Sequence, residues 1–232
     1  MSVEPSSSLG YKLPPCPRVP GIIVILKQLF NRSRLPRAIQ QGNLKLLLKA
    51  IHAKEDLNCP IQIPSDPEAT RTAVEHALRL GHTDCLQKLL EAGADLPERD
   101  AQQRLLLCTA IGTNANALNL TTSLLQAGAN ANADNGEALF ACLAIEDDNL
   151  ALMLINRLVE YGVNLNAFER DGKGLLGQLM TQERTMLVGT LISAGAALPQ
   201  DLEQLDCSDE IKQFAQRKAH DIAIQHQLLG LP

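Results

Sequence analysis

Apolar residues recur along the chain at the three- and four-residue spacing that places side chains on one face of a helix. The clearest run contains Leu86, Leu89 and Leu90, and it stops at Gly93. Glycine at such a place readily adopts the left-handed conformation that closes a helix and turns the chain. The same ending, an apolar pair followed three residues later by glycine, returns at Gly128, Gly162 and Gly195.

The four marker glycines are 35, 34 and 33 residues apart, and so regular a period indicates a repeat architecture. Residues 42–57 form an earlier copy of residues 81–96, with Lys54 at the place of Gly93. A second short apolar run, such as Val74 with Ala77 and Leu78, precedes the marked helix. We therefore predict that each unit is a pair of helices followed by an extended connection.

The copies differ in the turn between their two helices. Residues 114–119 lengthen this turn in the third unit, and residues 146–149 lengthen it in the fourth. Insertions in a solenoid lie in loops on one face, which is often the binding face. Neutral drift in a solvated turn is the alternative interpretation.

Residues 72–82, together with Leu89-Leu90 and Gly93-Ala94-Asp95, resemble the ankyrin repeat motif. Residues 162–173 are similar to the hairpin connection of that family, although no copy keeps its full Thr-Pro-Leu-His tetrapeptide. The resemblance covers residues 34–198, about five degenerate repeats. It implies an all-α ankyrin-repeat solenoid of stacked helix-turn-helix units with short hairpin-like connections and helical caps.

Four segments are expected in the chain. Residues 1–20 are an irregular leader rich in Pro and Ser, and residues 21–33 are an N-terminal capping segment. Residues 34–198 are the repeat array. Residues 199–232 are a C-terminal helical cap, whose helix starts near Glu210, or in part a peptide handle for a partner.

Residues 21–30 are the most apolar stretch, but ten residues with an internal lysine are too few to cross a bilayer, which needs about 20 residues. One interpretation is a cap over the first repeat. The other is an amphipathic segment, within residues 21–37, that lies on an anionic membrane. Its membrane-contact residues would be Ile22, Ile25, Lys27, Phe30, Arg32, Arg34 and Arg37.

Charge is distributed unevenly. Residues 1–54 hold nine Lys or Arg and one acidic residue, whereas the rest of the chain holds twelve basic and twenty-five acidic residues. This asymmetry suggests a partner drawn to one end, and contacts within the chain explain it equally well. Nucleic acid is an unlikely partner, because no aromatic residues alternate with the basic ones and the array itself is acidic.

The composition favours a reducing compartment and a core of aliphatic side chains. Aromatic residues make up only 3% of the chain, and Trp is absent. The six cysteines show no Cys-x-x-Cys spacing, and the start of the chain does not look like a secretory leader. Buried reduced cysteines act as small apolar residues. We expect a cytoplasmic protein; delivery into a host cell is not readable from the sequence.

We expect no enzyme activity. The five histidines fit neither a metal-ligand pattern nor a nucleophile pattern, and Gly172-Lys173-Gly174 lacks the spacing of a phosphate loop. The sequence therefore predicts no metal, no cofactor and no small-molecule substrate.

The expected function is binding of a protein on the concave face of the array, which the first helices and the connection tips form. By resemblance to the ankyrin family, the candidate contacts are Arg71, Arg79, Glu98, Arg99, Glu137, Arg170, Lys173 and Gln182. One alternative is a membrane-associated adaptor anchored by its N-terminal segment. Another is a bacterial effector-type ankyrin protein that acts in a host cell.

Overall fold

A computed structural model describes residues 34–63, 66–113 and 116–229, and for residue 63 and residues 66–69 it describes the backbone alone. The described part contains eleven α-helices and four short strands. In chain order the helices are α1 (Arg34–Gln40), α2 (Leu44–His52), α3 (Ala73–Arg79), α4 (Thr83–Glu91), α5 (Leu106–Ile111), α6 (Ala117–Gln126), α7 (Ala133–Ala141), α8 (Asp148–Glu160), α9 (Leu175–Thr181), α10 (Thr185–Ser193) and α11 (Asp209–Leu229).

The first ten helices form five pairs, as the repeat predicted. Within a unit the two helices pack against each other, and in the fourth unit the 3₁₀ turn Cys142–Ala144 extends the first helix toward α8. Second helices α2, α4, α6, α8 and α10 pack on one another in order, and so do first helices α1, α3, α5 and α7. The array is therefore two layers of helices, a first-helix layer and a second-helix layer.

Aliphatic side chains fill the space between the layers. The largest fully buried side chains are all Leu or Ile and come from the first four units, and Leu179, Leu187 and Leu191 of the fifth unit are also fully buried. Burying one such side chain stabilises the fold by about 1.5–3 kcal/mol. The core residues with less than 2% exposure include Leu35, Ile39, Leu47, Leu78, Leu86, Leu89, Leu106, Leu120, Leu124, Leu139, Leu154 and Ile155.

The marker glycines close the second helices in the left-handed conformation, with φ between 86° at Gly93 and 96° at Gly128. Lys54, which occupies the marker position in the first unit, also has a positive φ, of 54°. A residue with a Cβ is strained in this region by about 1 kcal/mol. The tertiary structure therefore imposes the same turn on the one unit that lacks the glycine.

The connections between units have three different forms. The first (residues 53–72) contains strands β1 (Ile61–Ile63) and β2 (Asp66–Arg71), and the fourth (residues 161–174) contains β3 (Glu169–Arg170) and β4 (Lys173–Gly174); both pairs are antiparallel. The second (residues 92–105) has a single bridge between Arg99 and Leu105. The predicted hairpin at residues 162–173 is thus confirmed.

The third connection (residues 127–136) makes no strand pair among its described residues. Asp134, Asn135 and Gly136 instead take left-handed conformations in succession, inside the segment that begins α7. A Cβ added at Gly136 would lie 2.9 Å from Cγ of Phe168, so the ring of the next connection packs directly on this glycine. Glycine is the residue type that can adopt a φ of 73° and leave room for the Phe168 ring at this distance.

Asparagine amides join successive connections at one repeated position, four residues after the marker. Asn58 Oδ1 accepts from the Asp95 backbone NH at 2.9 Å. Asn132 Nδ2 donates to the Gly162 carbonyl at 3.4 Å, and Asn166 Nδ2 donates to the Gly195 carbonyl at 3.0 Å. In the second connection this position is Pro97, which has no amide side chain.

The C-terminal helix α11 packs on α10. Ile211 and Ala215 are buried, and a Cβ at Gly189 would lie 2.9 Å from Cζ of Phe214, so Gly189 provides the space for that ring. Beyond Ile222 the helix is exposed, with Leu228 at 80%. The division of the chain into leader, capping segment, array and cap stays a prediction, because residues 1–33 lie outside the described part.

Candidate partner-binding surface

The candidate surface consists of the first-helix layer and the four connections. Arg71 is the last residue of β2 and lies two residues before the start of α3, whose last residue is Arg79. The remaining predicted contacts follow along the array: Glu98 and Arg99 in the second connection, Glu137 in α7, Arg170 and Lys173 in the fourth connection, and Gln182 just after α9. The eight residues therefore lie in the first helices, at their ends or in the connections, but their surroundings differ.

Arg79 is held by acidic neighbours. Its Nε donates to Glu75 Oε1 at 3.1 Å, its Nη2 donates to Asp100 Oδ2 at 2.7 Å, and Nη2 also contacts the Gln102 side chain. Arg71 Nε lies 3.3 Å from the same Glu75 oxygen. Both predicted contacts are therefore half-buried members of an ion network.

Asp100 anchors this network from the second connection. Its Oδ1 accepts from the backbone NH groups of Gln102 and Arg104, each at 2.9 Å. Its Oδ2 accepts from Arg104 Nε at 3.1 Å and from the Thr109 hydroxyl at 3.2 Å. Burial alone would raise the pKa of Asp100, but these hydrogen bonds and the Arg104 charge together hold that pKa below its usual value.

Arg99 reaches across to the third connection, where its Nη2 donates to Asp134 Oδ1 at 2.6 Å. Its Nη1 donates to the Gln103 carbonyl at 2.7 Å. Glu98 is exposed and lines a cavity of about 170 Å³ together with Leu96, Pro97, residues 105–107 and residues 128–130. This cavity lies where Pro97 supplies no amide bridge.

Arg170 lies over the ring of Phe140, with its guanidinium carbon 4.7 Å from the ring centroid. Cation and aromatic face attract each other in this arrangement. Glu137 and Lys173 are half-buried, and Gln182 is exposed.

Burial and the nearby Glu137 raise the pKa of the Cys108 thiol to about 12, so Cys108 is a protonated, unreactive thiol at neutral pH.

Sequence reasoning missed five residues that shape this surface. Three of them are carboxylates that pair with a predicted arginine, and one is the aromatic ring under Arg170. The fifth, Arg104, is a third arginine of the ion network. Glu75 and Phe140 occupy the position of His in the Thr-Pro-Leu-His tetrapeptide of the ankyrin motif. This departure from the motif was the sequence signal that could have identified them. The missed residues are Glu75, Asp100, Arg104, Asp134 and Phe140.

Two other expectations bear on sites of a different kind. Among the described residues no group of His, Cys, Asp and Glu is arranged to hold a metal ion. None of the described helices is long and apolar enough to cross a membrane. Arg34 and Arg37 lie exposed on α1, whereas Ile22, Ile25, Lys27, Phe30 and Arg32 are outside the described residues. Membrane contact therefore stays a prediction.

Five helix pairs, stacked in two layers and linked by short connections, define a helical-repeat solenoid. Solved structures with the same fold show which type of solenoid this is. The chain is 21% identical to the human ASB11 ankyrin repeat domain, with a TM-score of 0.55 over 81% of this chain and 84% of that domain. The ankyrin repeat domain of Bcl-3, a member of the IκB family, is 19% identical, with a TM-score of 0.55 over 79% of this chain and 98% of that one.

A third similar structure is the complex of the predatory endopeptidase Bd0816 from Bdellovibrio bacteriovorus with the immunity protein Bd3460. The chain is 19% identical to one chain of that complex, with a TM-score of 0.53 over 83% of this chain and 97% of that one. No family model matches the sequence, and no curated protein is similar to it at a significant level. The protein thus has the ankyrin-repeat fold, as the resemblance of residues 72–95 to the ankyrin motif predicted.

Proposed function

We propose that this chain is a non-catalytic protein-binding module whose partner docks on the first-helix layer and the connections. The observation that supports the proposal is the recurrence of charged side chains in the first helices and connections of consecutive units, from Arg71 to Lys173. A stacked array offers such a side as an extended binding surface.

The similar structures support an interaction role. One of them was solved as an assembly of two proteins, an endopeptidase and an immunity protein. The described part of this chain also lacks a metal-ligand cluster, and its described cysteines are free. Free buried thiols suit a reducing compartment, and we propose a cytoplasmic location on that ground.

Only some of the candidate residues are suited to test this proposal. Arg79 is part of an internal ion network, so its replacement would disturb folding as well as binding. Glu98, Arg170 and Gln182 are exposed, and Lys173 is half-buried. Charge reversal at Arg170 and Lys173 therefore changes the surface with less effect on the core than a change at Arg79, although it removes the contact between Arg170 and the Phe140 ring.

The experiment compares proximity labelling by the full chain with labelling by the Arg170→Glu, Lys173→Glu double variant. A matched control is Arg157→Glu, which changes a half-buried arginine of α8 in the second-helix layer. We expect the double variant to lose labelled proteins that wild type and control retain. Equal recovery by all three proteins, each shown to be folded by circular dichroism, would contradict the assignment of this side.

A further inference from the structure

Two carboxylates and three guanidinium groups converge where α3 meets the second connection. Glu75 is 3% exposed, and the side chain of Asp100 is fully buried. Arg79 bridges the two carboxylates, as described above. Arg71 approaches Glu75, and Arg104 approaches Asp100 with both Nε and Nη2 at 3.1 Å. We call these five residues the arginine cluster.

The arginine cluster carries one more positive than negative charge. Its neighbour His76 adds none at neutral pH, because burial, with Arg71 and His82 nearby, lowers the pKa of His76 from its ordinary value. The charges of opposite sign also differ in exposure. The Arg71, Arg79 and Arg104 side chains are 19%, 22% and 57% exposed, so a partner meets guanidinium groups and not carboxylates.

The arginine cluster is not explained by a contribution to folding stability alone. Replacing a buried ion network by apolar side chains is often neutral or stabilising, because desolvation of the charges offsets their attraction. Arg71 Nε is buried and has no hydrogen-bond partner among the described residues, although it lies close to Glu75. The acidic groups therefore position the arginines without satisfying all of their donors.

Positioned guanidinium groups are suited to one kind of ligand. The planar fork of arginine matches a carboxylate with two parallel hydrogen bonds. A single carboxylate also neutralises the excess charge of the cluster, whereas a phosphate monoester, with a charge of about −1.5 to −2, would exceed it. The rest of the chain after residue 54 is acidic on balance. That part would repel an acidic ligand, whereas the arginine cluster would attract it.

We infer that Arg71, Arg79 and Arg104 form the receptor for a side-chain carboxylate, Asp or Glu, of the protein partner. The inference deepens the proposed function and rests on it: it names the chemistry that the partner presents to the second and third units. Glu75 and Asp100 are positioning residues, which hold the guanidinium groups in place.

The test uses a library of random 12-residue peptides selected for binding to the full chain. Each selected peptide is then titrated against wild type, Arg104→Gln and Arg157→Gln, after its acidic residues have been changed one at a time to Gln or Asn. Arg104 is the most exposed arginine of the cluster, so Arg104→Gln should disturb the fold least of the three, and circular dichroism checks that the variant is folded. The control residue Arg157 lies in the second-helix layer and pairs with Glu160, an exposed carboxylate.

We expect one acidic peptide position whose change weakens binding to wild type and to Arg157→Gln about tenfold, but leaves binding to Arg104→Gln unchanged. Arg104→Lys should restore only part of the loss, because lysine keeps the charge without the fork. Peptides that bind without any such coupled acidic position overturn the inference and leave the proposed function standing. Failure to select any peptide contradicts the proposed function, and the inference falls with it. A phosphoserine peptide that binds more tightly than its Glu counterpart contradicts the carboxylate assignment.

Discussion

The second and fourth connections both follow a left-handed glycine, yet different chemistry joins each of them to the next connection. In the fourth, Asn166 donates to the Gly195 carbonyl and accepts from the Ala197 backbone NH at 2.8 Å. In the second, the corresponding residue is Pro97, and the ion pair between Arg99 and Asp134 is the link across to the third connection. The fourth connection thus has a neutral amide bridge, whereas the second has an ion pair and a cavity beside it.

The difference shows that a repeat position need not keep its interaction for the fold to persist. Stability in a stacked array is close to a sum of unit and neighbour terms, so one junction tolerates new chemistry without altering the others. The second connection also carries Asp100, which the arginine cluster requires. The junction that lacks the amide bridge is thus the one that holds the arginine cluster.

The largest effect is expected from Asp100→Asn. The new amide NH₂ would face Arg79 Nη2 and Arg104 Nε, which donate to Asp100 in wild type, so donors would meet donors. We expect a loss of about 3 kcal/mol in the free energy of unfolding, measured by urea denaturation. Asp134→Asn, at the exposed ion pair, is the control and should cost less than about 1 kcal/mol. Similar losses in both variants would contradict the contrast.

Acid should act through the same carboxylate. Because its pKa is lower in the folded state, Asp100 stabilises the fold fully above its unfolded pKa of about 3.9 and loses that contribution as pH falls through the folded value. Wild type should therefore lose stability more steeply than Asp100→Asn below about pH 4. Parallel pH profiles of the two proteins would show that Asp100 contributes nothing in this range.

A somewhat smaller effect is expected at the third connection from Gly136→Ala. The added methyl group would displace the Phe168 ring in addition to straining a left-handed backbone, at a combined cost of about 2–3 kcal/mol. Gly172→Ala is the matched control, with a φ of 70° and no atom within 4 Å of the new Cβ. It should cost about 1 kcal/mol in the same urea titration, and equal costs would remove the role of Phe168.

Asn166→Ala should destabilise the chain by about 1–2 kcal/mol, because it removes two hydrogen bonds to the segment after α10. Asn166→Asp retains the oxygen acceptor and loses the Nδ2 donor, so its thermal midpoint should lie between those of wild type and the alanine variant. An alanine variant as stable as wild type would mean that the amide bridge is dispensable, as it is at Pro97.

The smallest effect is expected from Arg99→Gln. The ion pair with Asp134 is more than a third exposed on both sides, and such pairs contribute less than about 1 kcal/mol. Salt should weaken it further, since charges are screened within about 3 Å at 1 M ionic strength. The difference between variant and wild type should therefore disappear in 1 M NaCl, while the Asn166→Ala difference persists.

Periodicity predicted much of the fold. The marker glycines located the ends of the second helices, and they placed an equivalent turn at Lys54, where the backbone is indeed left-handed. The third connection was missed because periodic apolar positions say nothing about backbone conformation between helices. The run Asp134-Asn135-Gly136 consists of the residue types that tolerate such conformations.

The surface was harder to predict than the core. Helical spacing indicates which side of α3 faces outward, but it does not reveal that Asp100, twenty-one residues after Arg79, folds back onto its guanidinium. Such a contact depends on the path of the second connection. Charge at a predicted surface position therefore does not reveal whether that charge is paired in the folded chain.

The absence of an amide at Pro97 has a consequence for hydrogen exchange. The backbone NH groups of Asp95 and Ala197 are each held by an asparagine oxygen from the preceding connection. The NH of Asn130 occupies the equivalent position after Pro97, and no described residue holds it. Asn130 should therefore take up deuterium well before the other two, which would make it a residue-level reporter of this junction in the intact protein.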